Sequence, residues 1–311
     1  MVDTVNFRLT LGEVEGVDFL EETPCFLHDV AMHDYNGNTT ITGSLENLRV
    51  SASRFQVKVK DGSLCKFLLG DNFKAMGRAD IQRAIEKLSD SLHLPMDRAA
   101  VMRLDVANNF IVKQPVMTYL NHLGILKNAV RLMQPSSLYY FLNCQKLVFY
   151  DKVKEQRASG EPIPELYKNR NVLRYEQRFV KCLPMLFNVE AVTAAMLYDE
   201  AFYMELYNRW LKSYRDIQKI NDISYNFKAM NSKQQLYKMG VLSMVERVGG
   251  QVEMINQINE AKQRGDLTAK QAYDLRQAVN DACKVNDGLT SPNEAIQELD
   301  KKILQAVRYY R

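Results

Sequence analysis

Residues 147–152 read Leu147-Val148-Phe149-Tyr150-Asp151-Lys152, and this run predicts a β-strand that is buried on one side. Successive side chains of a strand point to opposite faces, so Leu147 and Phe149 are expected to face a core. Val148, Tyr150 and Lys152 then share the other face. The strand is therefore expected to present one tyrosine, with a lysine two residues on, at a solvated surface.

Two further segments, 101–106 and 172–179, combine one apolar face with one charged face. The charged faces carry Arg103 and Asp105 in the first segment, and Arg174, Glu176 and Arg178 in the second. The apolar faces carry Met102, Leu104 and Val106 in the first, and Leu173, Tyr175 and Phe179 in the second. Three such strands side by side would form one sheet with a catalytic surface.

Strand patterns end near Pro184, so the sequence predicts an α+β fold. A mostly antiparallel sheet with helices is expected over residues 1–185, and an all-helical region over 186–311. Residues 12–38 are expected to be irregular, and 39–69 strand-rich. Helices are expected over 77–93, 115–123 and 189–220, and a hairpin over 137–152. Capping signals at Ser232, Thr268 and Ser291 predict later helix starts, and Gly249-Gly250 predicts an interruption.

Composition limits the functional classes. The chain has 311 residues, 46% of them hydrophobic and 25% charged, with a net charge of +4, so any nucleic-acid binding must come from a local basic patch. The five cysteines include no C-x-x-C pair, which excludes a zinc ribbon and favours reduced thiols in a cytoplasmic protein. No signal peptide is recognisable, and no apolar run approaches the ~20 residues that span a bilayer.

The charged residues of these strands are suited to chemistry at a phosphate. A tyrosine hydroxyl titrates near ~10 and becomes a nucleophile when a cation lowers its pKa or a metal activates its target. Asp105 and Glu176 offer hard oxygen ligands for a divalent cation, and both are expected to be at least partly wet. Basic side chains that could hold backbone phosphates are Arg103, Arg174, Arg178 and Lys152. An ordinary solvated sheet face, with Tyr150 as one structural tyrosine among 16, is the competing interpretation.

The order of these motifs resembles that of the replication initiators of filamentous phages and related small plasmids, a family of gene-two-type rolling-circle endonucleases. The resemblance covers roughly residues 50–185. It rests on Arg103-Leu104-Asp105, on Phe149-Tyr150-Asp151-Lys152 with Glu155, and on Leu173-Arg174-Tyr175-Glu176-Gln177-Arg178. Upstream, Val57-Lys58-Val59-Lys60 and Leu69-Gly70-Asp71-Asn72, followed by an amphipathic helix, are also similar.

The resemblance implies metal-dependent, site- and strand-specific nicking and rejoining of DNA at a replication origin, through a 5′-phosphotyrosine intermediate. Tyr150 would be the nucleophile with Lys152 as its companion, and Asp105 and Glu176 would bind Mg²⁺ or Mn²⁺. The implied setting is the cytoplasm of a bacterial host, with origin DNA and host replication proteins as partners and no membrane. The sequence leaves the oligomeric state open.

Two departures from the family concern the metal. Asp71 stands where the family often has a histidine, and the His-hydrophobic-His motif of the wider superfamily is absent. Carboxylates would therefore do most of the binding, which favours Mg²⁺ or Mn²⁺ over zinc.

Two other functions compete with this one. A tyrosine recombinase needs a His-x-x-Arg pair, and none of the four histidines has Arg three residues on. A non-enzymatic origin-binding protein would use the same basic face only to hold phosphates. A covalent protein–DNA adduct separates the enzymes from the binding protein.

Overall fold

The computed structural model describes residues 2–14, 16–223, 232–284 and 289–309. The strands are β1 (Val2–Thr10), β2 (His28–Tyr35), β3 (Asn38–Leu45), β4 (Leu48–Ser53), β5 (Gln56–Lys60), β6 (Ala100–Val112), β7 (Val130–Gln134), β8 (Ser137–Phe141), β9 (Gln145–Asp151), β10 (Asn171–Phe179), β11 (Asp222–Ile223) and β12 (Thr290–Ser291). The helices are α1 (Leu64–Leu69), α2 (Arg78–Leu92), α3 (Val116–Asn121), α4 (Lys152–Ala158), α5 (Leu183–Phe187), α6 (Glu200–Arg215), α7 (Lys233–Arg247), α8 (Gln251–Arg264), α9 (Ala269–Cys283) and α10 (Glu294–Tyr309).

Ten strands form one sheet in the order β2-β3-β4-β5-β1-β6-β10-β9-β8-β7. Every neighbouring pair is antiparallel. Within the described residues, the region after α6 contains helices and, as its only strands, β11 and β12, two residues each. The predicted fold class, an antiparallel α+β part followed by a helical part, is confirmed.

The sheet has one apolar face and one polar face, because its strands alternate as the sequence predicts. In β5, Val57 and Val59 are fully buried, whereas Lys58 and Lys60 point to solvent. The apolar face packs against α6 and α10, whose side chains belong to the same hydrophobic core. The ring of Tyr175 lies 4.6 Å from that of Trp210, and its hydroxyl donates to the Trp210 carbonyl. We call the opposite face, which carries Tyr150, the polar face.

The helix and hairpin predictions around the site are largely confirmed. α2 covers the predicted 77–93 segment, α3 lies within 115–123, and β8 pairs with β9. The helix expected over 189–220 begins only at Glu200, because the Asp199 side chain accepts the Phe202 N–H at 3.0 Å and caps it there.

Three local predictions between β2 and β6 are wrong. Residues 28–35, expected to be irregular, form the edge strand β2, whose side chains are all exposed and therefore carry no burial pattern. Residues 64–69 form α1 rather than a strand, since the Ser63 side chain accepts the Lys66 N–H and starts a helix. Met102 is exposed rather than in the core, because the β1–β6 register shifts there and Val101 takes the buried position.

The C-terminal helices divide between two hydrophobic environments. α6 and α10 belong to the core of the sheet, whereas α7, α8 and α9 pack mainly on one another. Ser232 and Thr268 form the predicted capping boxes, and Gly249-Gly250 separates α7 from α8. α10 is capped by Asn293, which accepts the Ala295 N–H at 2.9 Å, and not by Ser291, which lies in β12. A domain boundary at residue 185 stays a prediction.

Among the described residues, no helix has both the length and the apolar character needed to cross a membrane.

Candidate active site

The three strands with charged motifs lie side by side, with β10 between β6 and β9. Arg178 pairs with Asp105 on one side and with Lys146 on the other, so these three side chains share the polar face. Arg174 is opposite Tyr150 in the same way. The structure thus brings together the motif residues that the sequence placed on separate strands.

Tyr150 is held by a carboxylate. Its hydroxyl donates to Glu176 Oε1 at 2.7 Å, which fixes the direction of the phenol at the end of β9. Burial raises the pKa of Tyr150 well above its ordinary value, and Glu176 raises it further against the opposing charge of Arg174. The hydroxyl is therefore neutral in this arrangement, and its nucleophilicity depends on removal of the proton during attack.

Glu176 is the centre of a buried charge network. Arg174 Nε donates to Oε1 at 2.6 Å and Arg178 Nε donates to Oε2 at 2.7 Å. Burial acts to raise the pKa of this carboxyl, but the two guanidiniums outweigh burial and lower the pKa to about 2. Glu176 is therefore ionised and fully hydrogen-bonded, as a buried carboxylate must be.

Asp105 forms a two-pronged pair with Arg103 on its own strand. Arg103 Nε donates to Oδ1 at 2.9 Å and Nη2 donates to Oδ2 at 2.6 Å. Arg178 Nε lies 3.8 Å from Oδ2, so one arginine joins the two carboxylates of the site. Burial raises the pKa of Asp105 to about 6, against the opposing effect of Arg103.

The expectation that both acidic residues are partly wet is wrong. Asp105 is 2% exposed and Glu176 is 3% exposed. The reason is position: β10 is central in the sheet, and arginines from β6 and β10 lie across the polar face over the carboxylates. The i, i+2 charge pattern that predicts a solvated face also fits a row of ion pairs, and the sequence does not distinguish them.

Arg174 is buried and fully engaged by protein groups. Its Nη2 donates to Asp3 Oδ2 at 2.5 Å, and its Nη1 donates to the Asn72 carbonyl and to Asn109 Oδ1. It is 2% exposed, which argues for a positioning role rather than the expected contact with DNA. Asp3 was not among the predicted residues, because one acid in a strand near the N-terminus gives no signal of its distant partner.

Lys152 does not continue the strand. β9 ends at Asp151, whose side chain accepts the Lys154 N–H at 3.0 Å and caps α4, so Lys152 is the first helical residue. Its side chain is 1% exposed, and Nζ donates to Glu155 Oε2 at 2.7 Å. Burial lowers the pKa of Lys152, and Arg174 lowers it further. The predicted solvated lysine beside Tyr150 is therefore a buried one, paired with the Glu155 of the motif.

The loop after α1 covers the Arg174 end of the site. Asn109 Nδ2 donates to the carbonyls of Asn72 and Phe73, and the Lys152 ammonium lies 5.5 Å from the Phe73 ring centre. The Asp71 carboxylate accepts the Phe73 N–H at 2.8 Å in a local turn. The loop thus contributes backbone carbonyls and an aromatic ring to the site, and Asp71 serves the turn.

The carboxylates do not fit a divalent cation as they are arranged. Within the described ranges, no group of three or more acidic, histidine or cysteine side chains could hold a metal ion. Asp105 and Glu176 are each occupied by guanidinium groups, and Arg178 lies between them. A cation could use these two oxygen ligands only if the arginines moved.

Two aromatic rings lie on the polar face next to the site. Tyr139 and Phe141 of β8 stack with ring centres 5.8 Å apart, and they are opposite Val148 and Lys146 in register. The Lys146 ammonium is 5.4 Å from the Phe141 ring centre. The polar face therefore combines partly exposed aromatic rings and cations within two strands of Tyr150.

A family model that describes the N-terminal part of the gene II replication-associated protein matches residues 1–200, more than half of the 311 residues. The chain belongs to this family. It is therefore a replication initiator of the filamentous-phage gene II type, and a protein of this kind binds DNA. The match extends beyond the 50–185 region of the motifs and includes β1, which supplies Asp3. No curated protein matches the chain.

Proposed function

We propose that the protein initiates rolling-circle replication by nicking one strand of its origin and later rejoining it, with Tyr150 as the nucleophile. The observation that carries this proposal is the Tyr150 hydroxyl, which is held at 2.7 Å by Glu176 on a face shared with Arg178 and Lys146. Tyr119 and Tyr214 also donate their hydroxyls to carboxylates, so this hydrogen bond alone does not mark a nucleophile. Tyr150 differs because two arginines bind its acceptor carboxylate on the polar face.

The reaction would be a transesterification. The Tyr150 oxygen attacks the scissile phosphorus, the bond from phosphorus to the 3′-oxygen breaks, and the 5′ phosphate stays on the tyrosine. Glu176 orients the phenol but is too weak a base to keep its proton, because two arginines lower the pKa of this carboxyl to about 2. The phenolic proton therefore leaves to solvent, and the 3′-oxygen takes a proton from solvent. The free 3′-OH primes synthesis, and the reverse reaction rejoins the strand.

The arginines divide into two roles. Arg174 is buried and holds Glu176 and Asp3 in place, so it positions the acceptor of the tyrosine hydrogen bond. The side chains of Arg103 and Arg178 are each 30% exposed and can turn towards a phosphate. Lys152 is a positioning residue as well, because it joins α4 to the loop at Phe73.

A divalent cation, Mg²⁺ or Mn²⁺, is part of the proposal, and Asp105 and Glu176 would become its protein ligands only if the arginines that occupy them moved. A bound cation would stabilise charge on the phosphate. Because arginines occupy both carboxylates, we assign no step to the cation. The experiment below is therefore run with Mg²⁺, with Mn²⁺ and with a chelator, and adducts are expected only with a cation.

Single-stranded DNA is the proposed substrate at the nick. Aromatic rings hold unpaired bases by stacking, and cations hold the backbone. Tyr139 and Phe141 supply the rings, and Lys146 and Arg178 supply the charge. The helices α7–α9 are proposed to contact origin DNA, a host replication protein or a second copy of the chain.

The test is Tyr150→Phe, incubated with supercoiled DNA of its own replicon and analysed on a denaturing gel. The wild type is expected to give a covalent adduct and a nicked circle. The variant keeps its ring and loses one hydroxyl, so it should stay folded, bind DNA and give no adduct.

Tyr140→Phe is the matched control. Tyr140 is buried on the apolar side of β8, and its hydroxyl donates to the Leu123 and Gly124 carbonyls. Losing that hydroxyl costs about 1 kcal/mol of stability, and the adduct should still form. An adduct from Tyr150→Phe would show that another tyrosine is the nucleophile. No adduct from the wild type would leave the non-enzymatic origin-binding protein as the better description.

A further inference from the structure

Four cations on the polar face lie outside the site described above. They are Arg49 of β4, Lys58 and Lys60 of β5, and Arg8 of β1, and we call them the basic strip. Arg8 is opposite Lys58, and Lys60 is opposite Arg49, so the four side chains are cross-strand neighbours. Asn6, on the same face of β1, pairs with Arg103, which connects the strip to the candidate active site.

The basic strip differs from the arginines of the candidate active site by lacking acidic partners. Arg103, Arg174 and Arg178 each pair with a carboxylate, whereas within the described residues no member of the strip forms a salt bridge. Arg49, Lys58 and Lys60 are exposed. The Nε atom of Arg8 is buried, and within the described residues it has no hydrogen-bond partner. Four unneutralised charges on adjacent strands repel one another, and an anion bound across them would remove that repulsion.

The residues between the cations indicate which anion this is. Ser51, Gln56 and Thr10 share the face, and hydroxyl and amide groups are common hydrogen-bond donors to DNA phosphates. No described aromatic residue of β1, β4 or β5 lies on this face to stack an unpaired base, in contrast to Tyr139 and Phe141 at the other end. A backbone-reading surface without stacking rings suits duplex DNA better than single strands.

We propose that the basic strip binds the phosphate backbone of duplex DNA flanking the nick. Adjacent strands lie about 4.8 Å apart, so the path from β4 to β9 measures about 24 Å. This distance corresponds to about seven base pairs at roughly 3.4 Å each. Duplex on the strip therefore leads to Arg178 and Lys146, and Tyr150 lies four residues farther along β9, about 13 Å at roughly 3.3 Å per residue. The unpaired strand continues from there towards the rings of β8. The inference rests on the proposed function only in placing the nick at Tyr150, because DNA as the ligand follows from the family.

The test is the salt dependence of binding to a duplex of arbitrary sequence, because backbone contacts are independent of sequence. The triple variant Arg49→Gln/Lys58→Gln/Lys60→Gln is titrated with labelled duplex in a chelator, which prevents cleavage. The slope of log affinity against log salt is negative, and its magnitude should be smaller by about 0.9 for each phosphate that the variant no longer neutralises. Removal of three such phosphate interactions corresponds to roughly 500-fold weaker binding at about 0.1 M salt.

The control changes net charge equally on the other side of the sheet. Lys212→Gln/Arg215→Gln/Lys301→Gln removes three exposed cations of α6 and α10, which pack on the apolar face. This variant should keep the wild-type slope. An unchanged slope and affinity in the strip variant would overturn the proposal, as would equal losses in both triple variants.

A second ligand separates duplex from single strands. The strip variant should lose less affinity for a single strand of the same sequence than for the duplex, and an equal loss would rule out the assignment to duplex DNA. Adduct formation by the wild type is measured in parallel. If the wild type forms no adduct, the proposed nicking reaction is wrong. The duplex titration tests only whether the basic strip binds duplex DNA.

Discussion

At the scale of single residues, Glu176 is the group on which the neighbouring charges depend. It balances Arg174 and Arg178 and accepts the Tyr150 hydrogen bond, all without contact with bulk water. Removing one member of a buried ion pair leaves an uncompensated charge, which usually costs more than the pair contributed. In a variant that lacks Glu176, Asp3 still pairs with Arg174, which reduces the loss of stability.

Glu176→Ala is therefore expected to lower the free energy of unfolding by roughly 3–5 kcal/mol, measured by urea denaturation. Glu176→Gln keeps an oxygen for the Tyr150 hydroxyl and should cost less. Glu165→Ala is the control, because its side chain is 84% exposed and its pair with Lys168 is a surface contact worth about 0.5 kcal/mol or less. A loss below about 1 kcal/mol in Glu176→Ala would mean that the arginines do not need this carboxylate.

The shared face of the candidate residues was predictable, and their surroundings were not. Arg103, Asp105, Tyr150, Glu176 and Arg178 share one face as alternation requires. Burial of the two acids depends on what lies across the sheet and above it, which is set by residues far away in the chain. Lys152 shows the limit of alternation itself, since one capping aspartate before it ends the strand.

At the scale of elements, β8 gives the polar face its aromatic character. Tyr139 and Phe141 are two residues apart on one strand, so both rings point the same way and stack. The sequence shows the two aromatics, but only the pairing of β8 with β9 places them beside Tyr150.

Replacing both rings, in Tyr139→Ala/Phe141→Ala, is expected to weaken binding of a single-stranded oligonucleotide by about 1–3 kcal/mol for each base that stacks. Fluorescence anisotropy in a chelator measures this loss, and duplex affinity should change less. Tyr35→Ala serves as the control, because this exposed ring lies on β2 at the far edge of the sheet. Equal losses from the control and the β8 variant would show that the stacked pair has no special part in binding.

Elements whose buried residues recur at a regular spacing were predictable from the sequence, and elements with only exposed residues were not. α2 buries Ile81, Ile85 and Leu88 on one side, and this spacing indicates a helix without further information. β2 has no buried side to produce a pattern, and its strand character comes from pairing with β3.

At the scale of the whole molecule, the sheet and the C-terminal part share a core. Residues of α6 and α10 pack on the apolar face, and Tyr119 of α3 donates to Glu298 of α10 at 2.5 Å. Near residue 185 the sequence pattern changes from strands with helices to helices alone, which predicts a boundary between two kinds of secondary structure. Hydrophobic packing continues across that position, because a one-sided sheet needs helices to cover its apolar face.

The antiparallel pair of β11 and β12 lies where the segment that contains α7, α8 and α9 begins and ends. Asp222 is opposite Ser291 and Ile223 is opposite Thr290 in an antiparallel pair, and Asn293 Nδ2 donates to Asp222 Oδ2 at 2.9 Å. The chain therefore leaves the sheet's core after α6 and returns to it before α10 at neighbouring positions. Residues 224–289 can be replaced by a two-residue Asn-Gly turn, which suits an antiparallel pair.

Two shortened proteins test this organisation. The protein with the Asn-Gly turn keeps α6 and α10 and should unfold cooperatively, as reported by the fluorescence of Trp210, the single and fully buried tryptophan. A chain ending at Leu186 loses both helices and exposes the rings of Phe149 and Tyr175, so its circular dichroism should show no cooperative transition. If the chain ending at Leu186 unfolds cooperatively, the boundary at residue 185 separates independent domains and α6 and α10 are dispensable. If the turn variant fails to fold, α7–α9 are required for the core despite packing mainly on one another.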